Sequence, residues 1–159
     1  MAEALPELPM AETVMVRLMR IGVFGLGNFF EPVFRELGLT ENSFHVLCLL
    51  MAGDQGRASP SELSELVGTT RANMTRILDS LVNDGLASRA IEARDGRRHV
   101  IRITTAGCKV ASEAGPRLVE PLKRAFSGLD ADELASLDRL LRKAIVSFDK
   151  GATPLRVAA

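Results

Sequence analysis

Residues 92–104 read EARDGRRHVIRIT. The pair Asp95-Gly96 stands between two short runs rich in alternating apolar residues, and it constrains the chain more than any other feature. Glycine accepts the positive φ of a tight two-residue turn, so the flanking runs are expected to fold back on each other as antiparallel strands. The periodicity predicts strands over residues 87–93 and 99–104, with Ile101 and Ile103 on one face. Arg94, Arg97 and Arg98 then sit at or beside the hairpin tip, with only Asp95 close enough in sequence to offset them. Three guanidinium groups crowded in this way repel one another in the free protein, which points to a polyanionic partner.

The sequence on either side of the hairpin is helical by its spacing. In SPSE, Ser59 is placed to cap a helix, Pro60 to occupy its first position and Glu62 to complete a capping box. That short helix carries Leu63, Leu66 and Val67 and stops at Gly68. Thr70 caps a longer helix running to about Asp84, with Gly85 at its C-terminal end. Its apolar residues Met74, Ile77, Leu78, Leu81 and Val82 fall on one face, while Thr69, Asn73, Arg76 and Ser80 project from the other side. Upstream, Thr40 caps a helix over residues 41–53, and the stripe Phe44, Leu47, Cys48 and Met51 makes Cys48 a core residue.

Both ends of the chain carry more apolar surface than a small central domain can cover. Val14, Leu18 and Ile21 form one helical face, after which Gly22, Gly25, Gly27 and Pro32 predict a kinked or broken helix, closed by Gly38. From Thr105 the pattern is helical again, with interruptions expected near Gly115-Pro116 and Pro121 and an end by Gly128. Asp130 and Glu133 form a second box-like start for a helix carrying Leu134, Leu137, Leu141, Ala144, Ile145 and Phe148. A second copy of the chain would cover the surplus, which makes Val14, Leu18, Leu134, Leu137, Leu141, Ile145 and Phe148 the expected dimer interface. Residues 151–159, GATPLRVAA, read as a frayed tail.

Composition narrows the function. With 159 residues, 47% hydrophobic and 25% charged, the chain has the profile of an ordinary globular protein rather than a disordered or fibrous one. The N-terminal MAEALPELPMAE is acidic where a secretory signal is basic, and no apolar run reaches the length of a membrane span, so a soluble cytoplasmic protein is expected. The formal net charge of zero hides an asymmetry: residues 1–56 carry net −4, residues 57–109 net +3 and residues 110–159 net +1. Cys48 and Cys108 lie far apart without metal-ligand spacing, and His45 and His99 have no carboxylate or cysteine at metal or triad spacing. The pair Gly25-x-Gly27 follows no strand and lacks the rest of a dinucleotide-binding signature. No catalytic residue, metal or cofactor is therefore assigned, and the chain is not expected to be an enzyme.

Short helix, glycine turn, longer helix with a polar outer face, then basic hairpin: this order is the layout of a winged helix-turn-helix. A polar helix face alone, or a basic turn alone, is commonly just a solvated surface; their order and spacing together indicate a double-stranded DNA partner. Asn73 can pair with adenine, Arg71 or Arg76 with guanine or phosphate, and the hydroxyls of Thr69 and Thr70 with either. Arg97 at the tip suits a narrow minor groove.

Residues 38–107 resemble the MarR family of bacterial transcriptional regulators, whose wing pattern Asp-x-Arg, followed by alternating apolar residues and Thr, is filled here by Asp95, Arg97, Ile101, Ile103 and Thr104. Within the family, TTRANMTRILDSL is similar to the recognition helix of the multidrug-efflux repressors. The resemblance implies that Asp95 fixes the wing and orients Arg97, and that Ser59, Thr69, Thr70, Arg71, Asn73, Arg76, Arg94, Asp95, Arg97 and Arg98 form the DNA surface. It implies a homodimer that recognises a pseudo-palindromic operator and releases it when a small aromatic or lipophilic effector binds between the dimer helices and the winged domain. Phe44 and His45 are the candidates to line that pocket. The glycine-rich stretch at residues 22–27 is unusual for the family's first helix, and without any Trp the chain lacks an aromatic anchor that urate-responsive relatives place there.

The expected fold is thus mainly α, an α+β winged helix-turn-helix with N- and C-terminal dimerisation helices. Residues 1–39 form the N-terminal dimerisation region, 40–105 the DNA-binding domain and 106–150 the C-terminal dimerisation helices. Two other functions fit the same residues: a winged-helix dimer that serves as a protein-interaction module, and a thiol-based redox-sensing regulator.

Overall fold

The computed structural model describes residues 7–91 and 99–148. The wing tip, with Arg94, Asp95, Arg97 and Arg98, and the tail at residues 151–159 lie outside them. Six helices and three short strands follow in the order α1 (Met10–Glu36), α2 (Glu41–Ala52), β1 (Arg57–Ala58), α3 (Pro60–Val67), α4 (Arg71–Asn83), β2 (Ala87–Ile91), β3 (His99–Ile103), α5 (Thr105–Ala125) and α6 (Ala131–Phe148). The fold is mainly α with a small sheet, as the sequence predicts.

The helix starts follow the capping residues. Thr40 accepts from the Ser43 N–H, Ser59 from Glu62, Thr70 from Asn73 and Thr104 from Gly107. At α6 the box is reciprocal: the Glu133 carboxylate accepts the Asp130 N–H and the Asp130 carboxylate accepts the Glu133 N–H, each at 2.9 Å. Between α3 and α4, Gly68 takes the left-handed conformation at φ +71°, where a residue with a Cβ is strained.

Two expected breaks are absent. α1 runs unbroken through Gly22, Gly25, Gly27 and Pro32, and α5 runs unbroken through Pro116 and Pro121. Pro32 and Pro116 are exposed, as are Asn28 and Ser112 four residues before them, so the carbonyls that lose a backbone partner face water. Packing on the opposite side carries each helix across its proline. In α5 the buried residues Gly107, Ala111, Ala114 and Leu118 continue past Pro116, and in α1 Phe30 and Phe34 flank Pro32 and pack with Leu118.

α1 also corrects the expectation that no apolar run reaches membrane-spanning length. It has 27 residues and a mean hydropathy of 1.2 over its most apolar stretch, enough by length and composition to cross a bilayer. Arg17 and Arg20 stand within it, however, and an arginine at the centre of a bilayer costs about 2.5–3.5 kcal/mol.

The sheet has the order β1-β3-β2, all antiparallel. β1 was not foreseen, because two residues are too few to show a period; it pairs Arg57 with Arg102 and Ala58 with Ile101. The core joins Val46, Leu47 and Leu50 of α2, Leu63 of α3, Met74, Leu78 and Leu81 of α4, Ile101 of β3, and Ala111 and Ala114 of α5. Phe30 and Phe34 make a smaller cluster with Leu118, and Phe44 bridges the two.

The base of the hairpin is fastened to α5. The Thr104 hydroxyl donates to the Gly85 carbonyl at 2.8 Å and the Thr104 N–H donates to the Leu86 carbonyl at 3.1 Å. Directly below, a Cβ placed on Gly107 would lie 2.1 Å from the Leu86 carbonyl oxygen and 2.9 Å from Ile103. Gly107→Ala is expected to destabilise the fold by about 1–3 kcal/mol, read as a lower urea midpoint at unchanged slope.

Candidate nucleic-acid interface

α4 is held by its apolar face and displays the other. Met74, Ile77, Leu78 and Leu81 are buried, whereas Thr70, Arg71, Ala72, Thr75, Arg76, Asp79 and Ser80 are exposed. The buried residues recur at i, i+3, i+4 and i+7, so the exposed set forms one surface. Thr70 and Arg71 stand at the N-terminus of the helix, where free backbone N–H groups favour anions.

Asn73 is half-buried, and its side chain donates to the Thr69 hydroxyl at 2.8 Å while its backbone N–H donates to Thr70. This contact fixes the amide and leaves its carbonyl oxygen and second N–H for a base edge. Ser59 is occupied as the cap of α3 and also contacts the Ser61 hydroxyl at 3.2 Å. Thr75, which the sequence reading did not single out, is exposed on α4 with its hydroxyl donating to the Arg71 carbonyl at 3.0 Å. Arg102 of β3 is a second omission: it is exposed and lies between Arg57 and Ser88 across the sheet. Extended spacing alone signals it, because Arg102 alternates with Ile101 and Ile103.

Of the expected pocket residues, Phe44 is half-buried, its ring 5.7 Å from Phe34 and 6.2 Å from His45, and His45 is exposed. A cleft of about 360 Å³ opens nearby, between the C-terminal half of α1 and the start of α2, and neither Phe44 nor His45 lines it. Its walls include Gly27, Phe34, Leu39 and Thr40, with the ion pair of Glu31 and Arg35 at the rim.

The expected interface residues are largely uncovered. Val14, Leu18, Leu134, Leu141 and Phe148 are exposed, and Leu137 and Ile145 are half-buried. Met15, Val16, Ile21, Val23 and Phe24 of α1 are exposed as well, and α6 has no buried residue.

Both cysteines are free and partly buried. Burial pushes the Cys48 thiol up from its ordinary pKa. Among the described residues no group of three or more His, Cys, Asp or Glu is placed to hold a metal.

Fold and exposed face together define a winged helix-turn-helix protein. The MarR family model matches residues 39–99, the span from just before α2 to the first residue of β3. A transcriptional repressor of Bacillus subtilis, YetL, is 37% identical over 82 residues, covering 52% of this chain and 49% of that protein, so the match spans about half of the relative's length. The multiple antibiotic resistance protein MarR of Salmonella typhimurium is 29% identical over 119 residues, covering 74% of this chain and 78% of that one. The structure of Sco3205, a MarR family regulator from Streptomyces coelicolor solved in complex with DNA, shares the fold with a TM-score of 0.82 at 20% identity, over 93% of this chain and 94% of that one. The winged helix-turn-helix part of the chain, residues 39–99, thus matches the MarR family of transcriptional regulators, and the chain shares the fold of solved members of that family.

The Cys48 shift yields a pH-dependent expectation. The folded protein holds the thiol proton more tightly than the unfolded chain, so this contribution to stability is intact below the ordinary thiol pKa and shrinks as pH rises past it. At pH 8 an alkylating reagent should modify Cys48 more slowly than the same cysteine in urea-unfolded chain, as followed by mass spectrometry.

Proposed function

We propose that the protein is a homodimeric, cytoplasmic transcriptional repressor, without enzymatic activity, that binds a pseudo-palindromic DNA operator and releases it when a small aromatic or lipophilic ligand binds. The observation that carries the reading is the outward face of α4, with Thr70, Arg71, Thr75 and Arg76 exposed beside a hairpin whose sequence is basic. In this reading α4 enters the major groove, with Asn73 and Arg76 at base edges and Thr69, Thr70 and Arg71 at base or backbone. Ser59 presents the N-terminus of α3 to a phosphate. Arg94, Arg97 and Arg98 reach the neighbouring minor groove, with Asp95 orienting Arg97.

One recognition helix reads only a few base pairs, so operator selectivity requires two half-sites about one helical turn apart, and hence two copies of α4. The apolar residues left uncovered on α1 and α6 support a dimer through the terminal helices. The cleft between α1 and α2 supports an effector site, because it pairs the aromatic wall of Phe34 with charged groups at the rim and touches both the terminal helix and the winged domain. In this reading Phe44, whose ring lies 5.7 Å from that of Phe34 in the cleft wall, and His45 beside it stand next to the ligand site. A redox switch at Cys48 is disfavoured, since a thiol whose pKa is raised by burial is a poor thiolate.

Titration of a duplex selected from a randomised pool tests the reading. Binding is expected to weaken linearly in log affinity against log salt. Salt-independent or absent binding would instead favour an interaction module. Asn73→Ala should lower discrimination between the selected and a scrambled duplex by about 1–3 kcal/mol if Asn73 reads a base edge; equal weakening on both would assign it to the backbone.

The dimer has its own test. Replacing Leu137 and Leu141 with Asp buries charge in the proposed interface and should yield monomer or unfolded chain by sedimentation. A folded dimer with undiminished affinity for DNA would place the interface elsewhere.

A further inference from the structure

The turn between α3 and α4 holds one side chain of α4 from outside that helix. Gly68 takes the left-handed conformation and the Thr69 N–H donates to the Ser64 carbonyl at 3.0 Å, so the end of α3 fixes the backbone of Thr69. Thr70 then caps α4 by accepting the Asn73 N–H, while the Thr69 hydroxyl accepts from Nδ2 of the same residue at 2.8 Å. Asn73 is thus gripped twice, its backbone by one threonine and its side chain by the other. Thr69 and Asn73 are both half-buried, whereas Arg71 and Arg76 are exposed. Among the described residues, no hydrogen bond or ion pair holds either guanidinium.

The distinction matters for reading a base. An asparagine recognises adenine by donating from Nδ2 to N7 and accepting an N6 amino hydrogen on Oδ1 at the same time, which requires the amide in one place and one rotation. With one Nδ2 hydrogen given to Thr69, the Asn73 amide has the second hydrogen and Oδ1 left, one donor and one acceptor. Guanine presents acceptors at both N7 and O6 and would oppose Oδ1. A side chain that the base itself must order loses binding free energy to that ordering, and a side chain fixed beforehand does not.

We propose that Thr69 is a positioning residue for base readout: its hydroxyl holds the Asn73 amide, and it acts through Asn73 rather than on DNA itself. The inference rests on the DNA-binding reading above. Preference for adenine at one position of each half-site then depends on a residue in the turn, outside the helix that enters the groove. Thr69→Val keeps the branched shape and removes the acceptor, so it releases the amide without emptying the site. Thr69→Ser keeps the hydroxyl and with it the contact.

The test uses the full-length protein, a duplex that the wild type selects from a randomised pool, and a scrambled duplex of equal length. Each A·T pair of the selected duplex is changed to G·C in turn, and the pair whose effect on the dissociation constant Asn73→Ala abolishes is the one that Asn73 reads. At that pair Thr69→Val should lower the ratio of the two dissociation constants about fivefold, and Thr69→Ser should keep it within about twofold of wild type. Thr69→Val added to Asn73→Ala should change the ratio no further. Thermal midpoints should stay within about 3 °C throughout. If Thr69→Val weakens the selected and scrambled duplexes alike, its hydroxyl binds phosphate and the positioning role is wrong. A loss of discrimination that persists in the Asn73→Ala background makes Thr69 a direct base contact and is equally fatal to it. Unchanged ratios in Thr69→Val, alongside a wild type that discriminates through Asn73, overturn the positioning role alone. A selected duplex with no pair that depends on Asn73 overturns it together with the base contact of Asn73, and a wild type that selects no duplex overturns the DNA-binding reading beneath both.

Discussion

The burial of one face of α4 is the constraint on which the rest of the winged domain depends. Met74, Leu78 and Leu81 are each about 1% exposed, wedged among α2, Leu63 of α3 and Ile101 of the sheet. A helix of 13 residues is marginal in water on its own, and its rotation about its axis is free until tertiary contacts set it. Here the apolar stripe sets it, so the orientation of Arg71, Thr75 and Arg76 toward solvent is a consequence of packing on the far side. Removing volume behind α4 would therefore alter recognition as well as stability, because the polar face can turn only if the buried face slips.

α5 ties this domain to the terminal helices. Its first three turns supply Ala111 and Ala114 to the winged core, and Leu118, one turn farther on, joins the cluster with Phe30 and Phe34. Small residues at the first of these contacts let the backbone come close, and Gly107 takes that to its limit against the Leu86 carbonyl. The Arg124 guanidinium stacks over the Phe29 ring at 5.1 Å and extends the contact toward the helix end. α5 thus packs its first half on the winged core and Leu118 on the cluster with Phe30 and Phe34, so one helix joins the base of the hairpin to α1.

Most of the winged domain was legible in the sequence because local chemistry and global packing agree there. Ser59-Pro60, Gly68, Thr70 and Gly85 punctuate the helices where a cap or a positive φ is required, and the period of Met74, Ile77, Leu78 and Leu81 names the buried face. Proline and glycine misled where packing overrode propensity: the losses at Pro32 and Pro116 fall on exposed turns, and Phe34 and Leu118 hold the opposite sides. Relations between distant residues were not legible. The pairing of Arg57 with Arg102, the contact of Asp79 with Arg89 and the placing of Phe34 rather than Phe44 in the cleft all depend on elements meeting in space, for which single-chain periodicity carries no signal.

The glycines of α1 fit a helix whose surroundings come from outside the chain. Among the described residues a Cβ added at Gly22, Gly25 or Gly27 would meet nothing within 4 Å, so none of them requires these glycines to be small. Each nonetheless weakens the helix by about 1 kcal/mol relative to alanine. They lie among Ile21, Val23, Phe24 and Leu26, all exposed, and one turn before the cluster of Phe30 and Phe34. An uncovered apolar helix that keeps its smallest residues beside its largest is shaped for close approach by another surface. Because Gly27 also borders the cleft with Phe34, whatever covers α1 meets the edge of the proposed ligand site. In the proposed function, dimer contact and effector binding would then bear on the same turns of α1, whose Phe30 and Phe34 pack on Leu118 of α5.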